Sequence, residues 1–206
     1  AHAFLRSISG VIHVGANSGQ ERELYGEYDL EVVWIEPDPD IYLQLQANLE
    51  LFPRQRAYQY LVTDKDDATY TFHIANNDGA SSSILELNLH KDVWPHVYYE
   101  KTISLEGITL TSLVKNERIE IDKYDALIID TQGSELLVLK GAESLLSRFK
   151  YIKTEVADFE SYRGCPRVED VESFLGQNGF QEFARNKFAS RRGAGAYYDI
   201  VYRRLT

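Results

Sequence analysis

Length, composition and charge place this chain among ordinary globular proteins. Its 206 residues are enough for one domain with a substantial core, and 44% hydrophobic and 26% charged residues are typical of such domains. The net charge of −10 argues against a nucleic-acid partner, since phosphate binding needs a basic face. The late basic residues are interpreted as a solvated hairpin edge: Arg185, Lys187, Arg191 and Arg192.

Cysteine content and hydropathy indicate the compartment. A single cysteine, Cys165, permits no internal disulfide, which is typical of a reducing environment. No apolar run reaches the roughly 18 residues that indicate a membrane span, and no signal-peptide pattern opens the chain. We therefore expect a cytoplasmic protein with no membrane partner, built as one domain over residues 1–206. The sequence leaves the oligomeric state open.

The first half of the chain alternates short apolar runs with helical patterns, which predicts βαβ units and a mostly parallel sheet. Strands are predicted over 10–14, 31–36, 57–63 and 69–75. A helix is predicted over 20–28, and Ile41, Leu45 and Leu49 have helical spacing in the next segment. Residues 76–83 form a polar loop, either a plain connection or a lid.

The second half continues this alternation but ends differently. Strands are predicted over 101–105, 126–130, 151–156, 180–189 and 196–204. One helical face carries Leu136, Leu139, Ala142 and Leu146, and a second helix over 168–178 ends at Gly179. Because no helix separates the last two strands, they predict an antiparallel hairpin. The fold class is therefore a doubly wound α/β sheet with an antiparallel end, whereas a dinucleotide-binding sheet normally continues with parallel units.

A glycine-bearing turn follows the first predicted strand. Gly15 and Gly19 stand between that strand and a helix, where glycine lets the backbone approach a bound group closely. Glu36 ends the next strand, 21 positions after Gly15, where a carboxylate can accept both hydroxyls of a ribose. A plain βα turn and a solvated strand end are the alternatives. Together the two features favour a nucleoside site, without separating adenosylmethionine from NAD.

Four segments carry a family resemblance. VIHVGANSGQE, VVWIEPDP, SSSI and ALIIDTQGSELLVLKGAE resemble the successive motifs of the FkbM-type methyltransferases, and the last is the most specific. The resemblance covers most of the chain, from about Val11 to Val156. It implies a class I, Rossmann-like methyltransferase fold with a seven-stranded sheet. It also implies S-adenosylmethionine as the methyl donor and a hydroxyl as the usual acceptor, on a small molecule or glycan.

The resemblance also assigns residues to the donor site. Gly15, Asn17 and Gly19 would line the methionine end, Glu36 would hold the ribose, and Asp64 would lie near the adenine. The full set of cofactor-binding candidates is His13, Gly15, Asn17, Gly19, Glu36, Pro37, Asp64, Ser82 and Ser83. Two positions depart from the family pattern. Members commonly have Asp where His13 stands and Glu where Gln132 stands, which leaves one fewer candidate acid or base.

Carboxylates near strand ends are the candidates for the chemistry. Ligands of open α/β sheets bind outside the carboxyl ends of the strands, where Asp130 and Glu155 are predicted to lie. Glu135 opens a helix, a position that the helix dipole favours even without a function. Asp130, Glu135 and Glu155 are the predicted base or acceptor-positioning residues, with His13 a distant fourth.

No metal is required by this set. His73, His90 and His96 show no metal-ligand spacing, although two acids near a pocket could hold Mg²⁺. Trp94, Tyr98 and Tyr99 either wall an acceptor pocket or belong to the core.

Three functions from different classes remain open. The first is an O-methyltransferase acting on a small metabolite or glycan. The second is a nicotinamide-dependent oxidoreductase, against which the terminal hairpin, the IDTQGSE segment and the lack of a Tyr-x-x-x-Lys pair argue. The third is a domain that binds the donor without turnover, which the departures at His13 and Gln132 keep open. The acceptor itself is not readable, because neither fold nor donor site determines it.

Overall fold

The structure, a computed structural model, describes residues 3–190 and 195–205. Within them, ten strands follow one another in chain order: β1 (Gly10–Val14), β2 (Glu31–Ile35), β3 (Gln55–Tyr58), β4 (Leu61–Val62), β5 (Thr69–Ala75), β6 (Tyr99–Ile108), β7 (Ala126–Ile129), β8 (Tyr151–Ala157), β9 (Phe180–Ser190) and β10 (Ala196–Arg204). The α-helices of the same residues are α1 (Arg22–Glu27), α2 (Pro39–Asn48), α3 (Leu110–Asn116), α4 (Glu135–Gly141) and α5 (Val168–Gln177).

Seven of the strands form the main sheet in the order β3-β2-β1-β7-β8-β10-β9. The first five of these are parallel neighbours, and β10 pairs antiparallel with both β8 and β9. The predicted mostly parallel, seven-stranded sheet with a terminal antiparallel hairpin is confirmed. Gly179, with φ of 81°, follows α5 as predicted and turns the chain into β9.

Apolar side chains cover both faces of this sheet, as a doubly wound fold requires. Ile12 packs on the face that carries α3, α4 and α5, while its neighbour Val11 packs on the face that carries α1 and α2. A 3-10 turn, Ala3–Ser7, adds Phe4 and Leu5 to the α1 face. Among the described helices, none is both long and apolar enough to cross a bilayer.

A second sheet was not predicted. Residues 57–63 were expected to form a single strand, and this prediction is wrong: β3 joins the main sheet beside β2, while β4 pairs with β6 in a three-stranded sheet of order β4-β6-β5. The physical reason is that Leu61 is buried with Phe72 and Ile74 of β5, so the chain leaves the main sheet after Tyr58. Strand β6 is longer than the predicted 101–105 because it pairs with the whole of β5.

The helices also depart from expectation in two places. The helix predicted through Leu146 ends at Gly141 and continues as a 3-10 turn, Glu143–Arg148. A Cβ at Gly141 would lie 2.0 Å from the Thr63 carbonyl oxygen, so the end of α4 packs directly against the backbone beyond β4. Helix α3 was missed, although Thr109 caps it by accepting a hydrogen bond from the Ser112 amide and its buried residues have helical spacing.

The outer edge of the hairpin bears charge, as expected. Arg185 on β9 contacts the carboxylates of Glu172 and Glu182. Arg191 and Arg192 lie outside the described residues.

Candidate active site

A cleft of about 790 Å³, counting the space open at its mouth, lies at the carboxyl ends of β1, β2 and β7. The second sheet and the loop after β5 close its other side. Its lining includes His13, Gly15, Asn17, Glu21, Glu36, Pro37, Ser82, Asp130 and Gln132. Open α/β sheets bind ligands at this edge, so the cleft is the candidate active site.

The glycine turn brings β1 and β7 into close contact. Gly15 has φ of 82°, and the amides of Gly15 and Ala16 donate to the Ile35 carbonyl at 3.0 and 3.1 Å. A Cβ at Gly15 would lie only 1.8 Å from the carbonyl oxygen of Asp130. Glycine is therefore required here both for its backbone conformation and for space. The turn places Gly15 directly beside the end of β7.

Glu36 links this turn to the start of α2. Its Oε2 accepts from the Asn17 amide at 2.8 Å, and its Oε1 accepts from the Asp38 amide at 2.9 Å. The residue is only 6% exposed, and burial raises the pKa of its carboxyl to about 7. Each carboxylate oxygen has a second acceptor site, so both can still accept a hydroxyl from the cleft. Glu36 therefore supports the turn and faces the cleft with the acceptors that a ribose needs.

We expect Glu36→Ala to weaken the binding of S-adenosylhomocysteine by about 1–3 kcal/mol, because the ribose hydroxyls and two backbone amides lose their hydrogen-bond acceptor. Calorimetric titration measures this change. Asp40→Ala is the matched control, since Asp40 lies in the first turn of α2 but its side chain is exposed and pairs with Lys101. Equal affinity in the Glu36 variant and the control would contradict the assignment of Glu36.

The predicted donor-site residues fall into two groups. His13, Gly15, Asn17, Glu36, Pro37 and Ser82 line the cleft, whereas Gly19, Asp64 and Ser83 do not. A Cβ at Gly19 would meet the Leu45 side chain, and Asp64 lies beyond β4 beside Gly141. The Ser83 hydroxyl donates to the Gln132 carbonyl at 2.8 Å, so it stabilises the loop after β7.

His13 is neutral in the folded protein. Its Nδ1 lies 3.1 Å from the Tyr25 hydroxyl, and its ring stacks on Trp34 with centroids 4.9 Å apart. Burial lowers the pKa of His13 to about 4. A neutral imidazole of such low basicity is a poor proton acceptor at neutral pH, so the carboxylates remain the stronger candidates.

Gln132 joins the two strand-end carboxylates, a role that the sequence did not reveal. Its Nε2 donates to Asp130 Oδ1 at 2.6 Å and lies 3.4 Å from Glu155 Oε1. Tyr162 fixes the amide by donating to Gln132 Oε1 at 2.8 Å, and the Gln132 backbone is left-handed, with φ of 55°. The departure from the family pattern at this position therefore supplies a neutral hydrogen-bond donor between two acids.

Glu135 differs in its contacts from Asp130 and Glu155, the other two predicted catalytic acids. Its Oε1 accepts from the amides of Thr131 and Gly133 at 3.1 and 3.0 Å, and Glu135 does not line the cleft. Burial raises the pKa of Glu135 to about 7. The side chain therefore stabilises the loop between β7 and α4.

Asp130 and Glu155 are the two acidic residues that Gln132 links. Burial raises the pKa of Asp130 to about 6, and burial followed by the nearby charges of Asp130, Asp199 and Glu135 raises the pKa of Glu155. Asp130 lines the cleft, whereas Glu155 lines an adjoining cavity on the α1 face of the sheet. A carboxylate with a pKa near 6 is ionised at neutral pH and is more basic than an exposed aspartate, as a general base should be.

We expect Glu155→Gln to stabilise the protein at pH 8.5 but not near pH 5. A carboxyl whose pKa is raised by folding binds its proton more tightly in the folded state, so its ionisation lowers the free energy of unfolding as pH rises above the ordinary value of 4.5. Glutamine removes this ionisation. The variant is therefore expected to have a higher free energy of unfolding than the parent at pH 8.5 and no such gain near pH 5.

Urea denaturation at both pH values measures this gain. Glu143→Gln, at an exposed position after α4, serves as the control. A Glu155→Gln variant that is less stable than the parent at pH 8.5 would contradict the account.

His90 and the aromatic residues packed around it do not line the cleft. His90 is buried between the Ser81 hydroxyl, 3.1 Å from Nε2, and the Tyr197 hydroxyl, 2.7 Å from Nδ1. Trp94 packs on His90 and Tyr197, so it belongs to a core cluster. Among the residues that the structure describes, no three His, Cys, Asp or Glu side chains form a group that could hold a metal ion.

Comparison with solved structures identifies the class to which the fold belongs. The chain resembles TrmK of M. capricolum in complex with S-adenosylhomocysteine, with 9% identity and a TM-score of 0.55, over 98% of this chain and 66% of that one. It also resembles magnesium protoporphyrin IX methyltransferase of Synechocystis with bound SAH, with 11% identity and a TM-score of 0.53, over 95% and 73% of the two chains. At these identities the likeness shows the fold alone, which is the Rossmann-like methyltransferase fold.

The family follows from the sequence. The model of the methyltransferase FkbM domain matches residues 13–182, so the chain belongs to the FkbM methyltransferase family. A relative with a defined reaction is the 2-O-methyltransferase NoeI of Sinorhizobium fredii, 26% identical over 162 residues. That match covers 75% of this chain and 65% of NoeI, so the chain matches somewhat less than two thirds of this relative's length. The family resemblance predicted from the four motifs is confirmed.

Proposed function

We propose that this protein transfers a methyl group from S-adenosylmethionine to a hydroxyl group of a small metabolite or glycan. The observation that carries the proposal is the pairing, in one cleft, of the Glu36 carboxylate with the Asp130 carboxylate across the Gly15 turn. The Glu36 carboxylate can accept hydrogen bonds from the ribose hydroxyls of a nucleoside, and the Asp130 carboxylate can accept the proton of an acceptor hydroxyl. The O-methylating reaction named for NoeI supports the choice of acceptor atom.

The cleft fits the donor chemically. An apolar wall that could contact a purine also lines the cleft. It consists of buried or half-buried side chains of the second sheet and the segments next to its strands: Tyr60, Leu61, Val62, Phe72 and Ile84. Small ligands typically occupy such sites, apolar with a few placed polar groups. This wall, rather than Asp64, is our candidate adenine contact. When bound, the donor supplies a methyl group on an activated sulfonium.

The chain's own residues then have to orient the acceptor and take its proton. Asp130 Oδ1 is held by Gln132, which leaves Oδ2 for the acceptor hydroxyl. As the hydroxyl oxygen forms its new bond to carbon and the carbon–sulfur bond breaks, the hydroxyl proton passes to Asp130. Positioning and proton removal are the contributions that a displacement at an activated carbon requires. No step requires a metal.

Transfer of labelled methyl groups tests this proposal. With S-adenosylmethionine tritiated in its methyl group and a panel of small polyols and methyl glycosides, we expect label in at least one neutral acceptor. The product should keep its label in mild alkali, because a methyl ether survives conditions that hydrolyse a methyl ester. Transfer should also be unchanged by a chelator.

Each failure has a separate meaning. Label lost in alkali would place the methyl group on a carboxylate and contradict O-methylation of a hydroxyl. Activity abolished by chelator and restored by Mg²⁺ would make the acids metal ligands. Absence of transfer despite tight binding of S-adenosylhomocysteine would favour a donor-binding domain without turnover.

A further inference from the structure

A second cavity adjoins the cleft on the α1 face of the main sheet. It has a volume of about 630 Å³, counting the space at its mouth, and lies between the 3-10 turn Ala3–Ser7 and strands β7, β8 and β10. Phe4 and Leu5 border it on one side. His13, Glu21 and Asp130 line both the cavity and the cleft, so the two spaces are neighbours across these three residues.

The cavity is strongly acidic. Glu21, Asp130, Glu155 and Asp199 line it, and Glu155 stands directly opposite Asp199 in the β8–β10 pair. Lys153 is the cation of the lining, and its Nζ lies 2.7 Å from Asp199 Oδ1. The lysine thus pairs with one of the four acidic residues of the lining.

Two carboxylate oxygens in this lining remain free to accept hydrogen bonds. Within the described part of the chain, no hydrogen bond reaches Asp130 Oδ2 or Glu155 Oε2, whereas Gln132 contacts the other oxygen of each residue. Half-buried carboxylate oxygens without donors are costly unless a ligand or water supplies them. The two oxygens are therefore available to a group in the cavity that donates hydrogen bonds.

We propose that this cavity binds the methyl acceptor, and that it selects acceptors that are uncharged and rich in hydroxyl groups while rejecting those with a carboxylate or phosphate near the reacting hydroxyl. The inference rests on the proposed function and adds to it the place and the charge class of the acceptor. Asp130 belongs to both spaces, so a hydroxyl bound in the cavity reaches the base at the border with the cleft.

Charge decides the selection. Hydroxyls can donate to the free oxygens of Asp130 and Glu155, whereas an anion would meet the ionised Asp130 carboxylate at short range in a poorly solvated space. Lys153 could offset this repulsion only if it were free, and Asp199 holds it. Asp199 therefore determines specificity by keeping the lysine from binding an anion.

The test compares pairs of acceptors in which a carboxylate replaces one hydroxymethyl group. Methyl glucoside and methyl glucuronide share a ring and differ in whether carbon 6 is a hydroxymethyl group or a carboxylate, and methyl galactoside and its uronate form a second pair. With tritiated S-adenosylmethionine, we expect kcat/KM for at least one neutral glycoside to exceed that of its uronate by 10-fold or more. Equal or better turnover of the uronate, or no label in any neutral glycoside, would overturn the proposal.

Two variants locate the effect in the cavity. Asp199→Asn should lower the neutral-to-anionic ratio at least 5-fold by releasing Lys153, whereas Asp29→Asn, which breaks the exposed ion pair with Arg54, should leave it unchanged. Leu5→Trp should fill the cavity and cut turnover 10-fold or more with S-adenosylhomocysteine affinity within twofold. Ile8→Phe is its control, since Ile8 packs nearby but does not line the cavity.

The readouts separate this inference from the proposed function. If the parent protein does not bind S-adenosylhomocysteine, the proposed function fails. If binding is normal but Asp199→Asn leaves the ratio unchanged and Leu5→Trp leaves turnover unchanged, the acceptor binds elsewhere and only the present proposal fails.

Discussion

We expect Asp130→Asn to slow methyl transfer by about 10²–10⁴-fold while its affinity for S-adenosylhomocysteine stays within about twofold of the parent. Asn keeps the shape of the side chain but cannot take the hydroxyl proton. The affinity for the donor should be unaffected, because the variant keeps Glu36 and the apolar wall, the two features that we propose bind the donor. Single-turnover measurements with a neutral glycoside, together with calorimetric titration, give both quantities.

Variants of the neighbouring acids show whether the loss of methyl transfer is specific to Asp130. Glu155→Gln should behave like Asp130→Asn if Glu155 shares the orientation of the acceptor, and Glu135→Gln should do less because Glu135 holds only the loop after β7. Loss of donor binding in Asp130→Asn would instead assign that residue to the cofactor site. Full turnover in Asp130→Asn would remove it from the chemistry.

Gly15→Ala is expected to produce the largest effect on the donor site. The alanine Cβ would lie 1.8 Å from the Asp130 carbonyl oxygen in a left-handed backbone, so the turn must move away from β7. We expect S-adenosylhomocysteine affinity to fall at least 100-fold, about 2.7 kcal/mol, with a loss of roughly 2–4 kcal/mol in the free energy of unfolding.

The matched control is Gly176→Ala in α5. An added Cβ there meets nothing within 4 Å and the residue is helical, so the variant should bind normally and be slightly more stable. Normal donor affinity in Gly15→Ala would show that the ligand does not depend on this turn. Refolding yield and circular dichroism of both variants distinguish a local change in the site from loss of the fold.

The main sheet could be predicted from the sequence because its strands are marked locally. The bounds of its strands β1 and β10 coincide with those predicted, since Gly15 follows the first and Gly195 precedes the second. Strand β4 was not predicted because no local pattern marks it. Strand β4 has only two residues, Leu61 and Val62, and its pairing with β6 depends on a contact across about 45 positions of the chain.

The candidate site was predictable only in part. The Gly15 turn and Glu36 follow from strand context, and the structure places both at the cleft. The bridge from Gln132 to Asp130 and Glu155 depends on a left-handed residue that Tyr162 and Ser83 hold from other segments. The adjoining cavity joins Leu5 to Asp199 from opposite ends of the chain, so no local pattern could have indicated it.

Calorimetric titration of the parent protein with S-adenosylhomocysteine, and in parallel with NAD and NADP, tests the central claim most directly. The claim is that the cleft at Gly15 and Glu36 is the site of a methyl donor. We predict saturable binding of S-adenosylhomocysteine with one site per chain, and no detectable binding of either dinucleotide. Saturable binding of NAD with none of S-adenosylhomocysteine would contradict the account.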